Sequence, residues 1–124
     1  TDYSRYGSDI VAYGSAKLAN LIYARELARR LEGSAIRVNA FHPGGVATGI
    51  WREMPSPIQK IVDKILITPA KGADTAIWLA TSENAKHHHG GYFTRRKADF
   101  SKPSSRNKAL AANLWAASER IAGL

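Results

Sequence analysis

The longest regular pattern in the chain runs from Ala12 to Glu32, where strong helix formers dominate and no proline intrudes, so the segment predicts a helix. Ser8 or Asp9 is placed to cap its start, and Gly33 to stop it. At about 100° per residue, Tyr13, Lys17, Ala24, Leu27, Ala28 and Leu31 share one arc, which is expected to pack inward. Glu26, Arg29 and Arg30 fall on the other arc and read as a solvated face. Leu18 and Ile22 lie outside the apolar arc, where a neighbouring helix or a second subunit would meet them.

Beyond this helix the pattern changes period. Ala35 to Phe41, "AIRVNAF", alternates and predicts a strand, which "HPGGVATG" then breaks. Ile50 to Thr68 is amphipathic but interrupted by Pro55 and Pro57, a short helical excursion. Pro69 opens a further helix through Thr81. The polar loop "SENAKHHHGG" leads to a strand over Tyr92–Arg96. A last helix follows, capped by Ser104 or Ser105, with Leu110, Leu114, Trp115 and Ile121 as its main apolar positions. Helix, strand, helix, strand, helix is the alternation of an α/β protein with a parallel sheet. Two strands make a small share of such a sheet, so the pattern reads as part of a larger one.

Composition narrows the class. At 124 residues and 44% hydrophobic, the chain carries one modest core. With no cysteine it has neither a disulfide framework nor a Cys-ligated metal site. The first residues lack the layout of a secretory leader, and no apolar run is long enough to cross a bilayer, so a cytoplasmic protein without a membrane span is expected. The formal charge of +8 invites a nucleic-acid reading. The densest basic cluster, Arg95 to Lys97 followed by Lys102, Arg106 and Lys108, has no interleaved aromatic residues and no zinc-finger or helix-turn-helix spacing, so specific nucleic-acid binding is not expected. An anionic cofactor suits a basic chain equally well. The three adjacent histidines, His87 to His89, read as a solvated loop, and no metal site is expected.

The stretch "AYGSAKLAN" carries the chemistry. Tyr13 and Lys17 stand four apart, a spacing that brings Cβ atoms to roughly 5 to 6 Å on a helix. Taken alone, that spacing is what ordinary packing and a snorkelling lysine would give. An ammonium beside a phenol also stabilises phenolate, and in a partly desolvated cleft the hydroxyl can then give up or take a proton near neutral pH.

The flanking residues decide between these readings. "YGSAKLANLIYARELARRLEGSAIRVNAFHPGGVATGI" closely resembles the short-chain dehydrogenase/reductase family, in which Tyr-x-x-x-Lys opens a helix and is followed by a strand ending in Pro-Gly. It is most similar to the branch containing retinol dehydrogenases, the WW-domain oxidoreductase and protochlorophyllide reductases, and the likeness continues through "TPAKGADTAIWLAT", "GGYF" and "LWAASERIAGL". The resemblance implies that residues 1–124 are the C-terminal part of a single NAD(P)-binding, Rossmann-type, doubly wound domain. It implies Tyr13 as the acid/base of an oxidoreductase interconverting an alcohol and a carbonyl, with Lys17 tuning it and holding the nicotinamide ribose. Pro43, Gly44, Gly45, Val46 and Thr48 would border the nicotinamide of NAD or NADP. Residues from about Ile50 to Leu66 would form the substrate lid. Trp51, Met54, Ile58, Ile61 and Ile65 offer that lid an apolar lining for a hydrophobic alcohol or ketone, although the same residues serve a core equally well.

Several family features are absent from these residues: the Gly-x-x-x-Gly-x-Gly turn that seats the pyrophosphate, the Asn-Asn-Ala-Gly strand, and the catalytic serine on the strand before the Tyr helix. Ser4 and Ser8 sit in the approach to the helix and are not substitutes. The expectation is a C-terminal fragment, inactive in isolation. The rival is a catalytically inactive truncated paralogue that pairs with other subunits, itself or intact homologues, through the Leu18 and Ile22 side of the helix.

Overall fold

The computed structural model describes residues 9–44, 67–101 and 103–124. Among them are helices α1 (Asp9–Arg30), α2 (Pro69–Thr81) and α3 (Lys108–Ala122), and strands β1 (Ala40–His42), β2 (Tyr92–Thr94) and β3 (Lys97–Ala98). Short 3-10 turns cover Glu83–Ala85 and Pro103–Arg106. The class is α/β, with a small mixed sheet ordered β1-β2-β3, as in part of a Rossmann-type fold. The chain divides into two compact units, Thr1–Ala40 with His88–Gly91 and Phe100–Leu124, and Phe41–His87 with Tyr92–Asp99.

In the first unit α1 packs against α3 and the turn before it. The helix starts at Asp9, earlier than Ala12, and ends at Arg30, after which a turn leads through Gly33, whose φ of +84° suits a residue without a Cβ. Its buried side is the expected one only in part. Ala28 is buried as expected, but so are Leu21, Ile22 and Glu26 from outside that arc, whereas Tyr13 is 62% exposed and Lys17 is exposed too. The covering residues come from the far end of the chain. Trp115 of α3 stacks on Tyr23 with ring centroids 4.6 Å apart and planes 12° from parallel, and Arg30 lies over the same indole at 4.3 Å from its centroid. Tyr23 and Arg30 are two turns apart on α1, so one tryptophan grips the helix at both.

That packing encloses Glu26, only 2% exposed, on the arc read from sequence as solvated. It is tolerated because its carboxylate is fully engaged. Arg29 donates from Nε at 2.9 Å and from Nη2 at 2.7 Å, and Arg30 donates from Nε at 2.8 Å. Ile22 is 4% exposed and Leu18 half-buried, so the Ile22 side faces the chain's own interior and is not open to a second subunit. On α3, Ala111 is the buried position, while Leu110 and Ile121 are exposed. The cap of α3 is Asn107, whose Oδ1 accepts from the Leu110 amide at 3.0 Å; Ser104 and Ser105 belong to the preceding 3-10 turn.

In the second unit α2 begins with Pro69 at its first turn, as expected, and Thr68, which sequence reasoning did not single out, caps it by accepting from the Lys71 amide. Phe93 on β2 is buried and meets Trp78 edge-on at 5.8 Å. The strand expected over Tyr92–Arg96 stops at Thr94, and a third strand, β3, pairs antiparallel with β2, Phe93 opposite Ala98 and Thr94 opposite Lys97. Arg95 and Arg96 form the tight turn between them at φ of 51° and 60°. Such a turn normally uses Asn-Gly. Here tertiary contacts hold it: the Arg96 amide donates to Thr75 Oγ1 at 3.2 Å, and its guanidinium donates from Nε to Asp74 Oδ2 at 2.7 Å and from Nη2 to Oδ1. The strand expected over Ala35–Phe41 is shorter and later, Ala40–His42. Around Ser34 the backbone makes local bonds instead, with the Ile36 amide donating to Ser34 Oγ and the Arg37 guanidinium to the Ser34 carbonyl.

Candidate functional site

Tyr13 and Lys17 project from the N-terminal half of α1. The helix sets their spacing, and Lys17 Nζ stands 5.2 Å from the centroid of the Tyr13 ring. Both side chains are exposed, so the expectation that they pack inward is corrected. Lys17 forms no ion pair among the described residues, which leaves its ammonium able to donate elsewhere.

The second cluster read from sequence follows β1. Pro43 and Gly44 are described; Gly45, Val46, Thr48 and the lid over Ile50–Leu66 lie outside the described residues, as do Ser4 and Ser8. Gly44 has φ of +85°, and a Cβ there would stand 3.1 Å from Ile67 Cδ1, so both the conformation and the space call for glycine. His42 fixes the turn, its Nδ1 accepting from the Gly44 amide at 2.7 Å. Sequence reasoning missed His42; its only signal was a histidine directly before Pro-Gly.

The approach to β1 is pinned within the first unit by residues that sequence reasoning also passed over. The Val38 carbonyl accepts from the Gly90 amide at 2.7 Å, and the Ala40 amide donates to the Gly91 carbonyl at 2.9 Å. These bonds advance in the same direction along both segments, the sense of a parallel pair. Asn39 locks them sideways, donating from Nδ2 to the His88 carbonyl at 2.8 Å and accepting from the Gly91 amide at 3.0 Å. His89, expected in a solvated loop, is a strut. Its Nδ1 accepts from the Val38 amide at 3.2 Å, which places the ring proton on Nε2, 2.8 Å from the Ala28 carbonyl of α1. His87 is exposed, and no group of three metal-ligating side chains occurs among the described residues. Nor is any described helix long and apolar enough to cross a membrane.

Comparison with known proteins places this geometry in a family. The family model described as "Enoyl-(Acyl carrier protein) reductase" matches residues 2–91. Human "Retinol dehydrogenase 14" is 38% identical over 118 residues, covering 90% of this chain and 35% of the relative. "Dehydrogenase/reductase SDR family member 13" of Bos taurus is 34% identical over 121 residues, covering 94% of this chain and 32% of the relative. "Retinol dehydrogenase 12" of Mus musculus is 34% identical over 115 residues, covering 91% and 36%. The chain thus spans about a third of the length of the curated relatives it matches. With the Tyr13–Lys17 helix, the strand and the Pro-Gly turn in that order, the chain belongs to the short-chain dehydrogenase/reductase family, on its retinol dehydrogenase branch.

Proposed function

We propose that this chain supplies the acid/base half of an NAD(P)-dependent oxidoreductase site that interconverts an alcohol and a carbonyl. The observation that carries the reading is the placement of Lys17 Nζ against the Tyr13 ring, both exposed on one helix, in a member of this family. The residues present suit a dinucleotide: an exposed ammonium without an ion pair among the described residues, and a glycine turn after a strand where backbone can approach a ligand. When bound, the nicotinamide exchanges hydride with the reacting carbon.

Tyr13 does the proton work. Its hydroxyl gives a proton to the carbonyl oxygen in reduction and takes one from the alcohol in oxidation. Lys17, whose ammonium stands beside the Tyr13 ring, donates to the ribose. The turn at Pro43 and Gly44, with Gly45, Val46 and Thr48 after it, borders the nicotinamide, and the seat for the pyrophosphate is assigned to residues other than these. The names of the relatives support a small apolar substrate, with retinaldehyde the first probe.

Tyr13→Phe in the full-length protein tests the assignment. Loss of a general acid/base is expected to lower kcat by about 100-fold or more, with dinucleotide affinity, read by fluorescence titration, nearly unchanged. Turnover retained at the parent rate would refute the role given to Tyr13.

A further inference from the structure

The C-terminal half of α1 borders a cavity of about 330 Å³ that belongs wholly to the first unit. Its lining is charged, with Arg25, Arg29, Arg106 and Lys108 set against Glu26 and Glu32. The acids do not neutralise it evenly. Glu26 is engaged by Arg29 and Arg30, while Glu32 acts on Arg29 only through its charge, so four cations against two carboxylates leave the lining net positive. Arg25, Arg106 and Lys108 form no ion pair among the described residues. Arg25 donates to Ser105 Oγ, which is itself buried, and that hydroxyl also reaches Ser101 Oγ at 3.1 Å. Burial, and then the neighbouring Arg106 charge, push the Arg25 guanidinium below the ordinary arginine value. A half-buried cation facing a second cation is destabilised until an anion joins them.

We infer that this cavity is a seat for a phosphate group, held by Arg25, Arg106 and Lys108, with the Ser105 hydroxyl fixing the Arg25 guanidinium at its edge. Two guanidinium forks and an ammonium match a doubly charged, three-oxygen group better than a single carboxylate, which one fork would satisfy. Asn107 and Lys108, the cap and first residue of α3, add the partial positive charge of that helix's N-terminal end. The volume falls in the range of small-molecule sites, about 300 to 1,000 Å³, and so admits a phosphorylated small molecule or a lipid headgroup. The seat is separate from the Tyr13 site: Arg25 lies twelve residues along α1 from Tyr13, about 18 Å at 1.5 Å per residue. The proposal therefore stands or falls independently of the proposed activity.

Calorimetric titration of the full chain with pyrophosphate at low salt tests it, beside co-sedimentation with phosphatidylcholine vesicles with and without a phosphoinositide. Saturable binding at one site is expected. Arg106→Gln with Lys108→Gln, both exposed positions whose folding is checked by circular dichroism, should weaken it by about tenfold or more, because two of the three cations of the seat are lost. Arg106→Gln alone, expected to weaken it severalfold, stands in should the double variant not fold. Arg95→Gln with Lys97→Gln removes the same charge elsewhere and should change binding by less than about twofold. Pyrophosphate binding assigns a soluble ligand, and phosphoinositide-dependent sedimentation lost in the double variant assigns a headgroup; either supports the seat. No saturable binding to either, an unaffected Arg106/Lys108 variant, or equal weakening in the control pair overturns it.

Discussion

Replacing Glu26 by glutamine removes the charge that holds two arginines against the buried face of α1 while keeping the side chain's volume. Hydrogen bonds from Arg29 and Arg30 hold the carboxyl well below its ordinary value, at about 2 against 4.5, although burial opposes them. A folded-state value below the unfolded one means that the unfolded chain binds the proton more readily. The contribution is therefore fully present above about pH 5 and is lost as pH falls from about 4.5 toward 2. At about 1.4 kcal/mol per unit the shift corresponds to roughly 3 kcal/mol. Arg29 and Arg30 are 52% and 41% exposed, and solvent screening of the partners reduces the expected loss to about 2 kcal/mol. The assay is urea unfolding of parent and Glu26→Gln followed by circular dichroism at pH 7, 5, 4, 3 and 2.5. Acid also destabilises any chain of formal charge +8, but that effect is common to both proteins and cancels in their difference. The difference should be about 2 kcal/mol at pH 7 and fall to roughly a quarter of that by pH 2.5. A difference below about 0.5 kcal/mol at pH 7, or one that does not change with pH, would show that the ion pairs do not account for the burial of Glu26.

Trp115→Ala should cost about 3 kcal/mol, because it removes an indole stacked on Tyr23 and covered by Arg30; thermal unfolding reads the loss, and Trp115→Phe should recover about half of it. Arg95→Asn should raise stability by about 0.5 to 1 kcal/mol, because asparagine adopts the positive φ of 51° more readily in a two-residue hairpin; a decrease in Tm would show that Arg95 makes a stabilising contact.

What the sequence disclosed and what it withheld divide along the range of the interactions. The Tyr13–Lys17 spacing, the helix start at Pro69 and the Gly44 turn are set by residues within four positions of one another, and each was legible. Helical periodicity identified α1 and the burial of Ala28 but placed Tyr13 and Lys17 on the buried side, because the partner that decides burial, Trp115, lies some ninety positions away. Glu26, Arg29 and Arg30 have the composition of a solvated face, and only the complete satisfaction of the carboxylate makes them an interior one. The Arg95–Arg96 hairpin gave no turn signal, since Asp74 and Thr75 on α2 stabilise a conformation the arginines do not favour themselves. Asn39 and His89 were silent for the same reason: their partners stand about fifty and sixty residues off in sequence.

The distribution of burial along α1 bears on how the candidate site works. At 1.5 Å per residue its 22 residues extend about 33 Å. From Leu21 onward the helix is fastened by the Trp115 clamp, by Glu26 and by the His89 strut on the Ala28 carbonyl, while Tyr13 to Lys17 are exposed. A helix held at one end presents the side chains of its other end at fixed spacing, because the backbone hydrogen bonds between them are those of the helix itself. Tyr13 and Lys17 thus need no local packing to keep their register. They remain accessible to solvent, and the cost of exposing that half is carried by close packing a few turns away. Positions that stabilise the fold and positions assigned to the chemistry occupy separate lengths of one rigid element, and on this arrangement the anchoring end can vary in stability without disturbing the spacing of the tyrosine and the lysine.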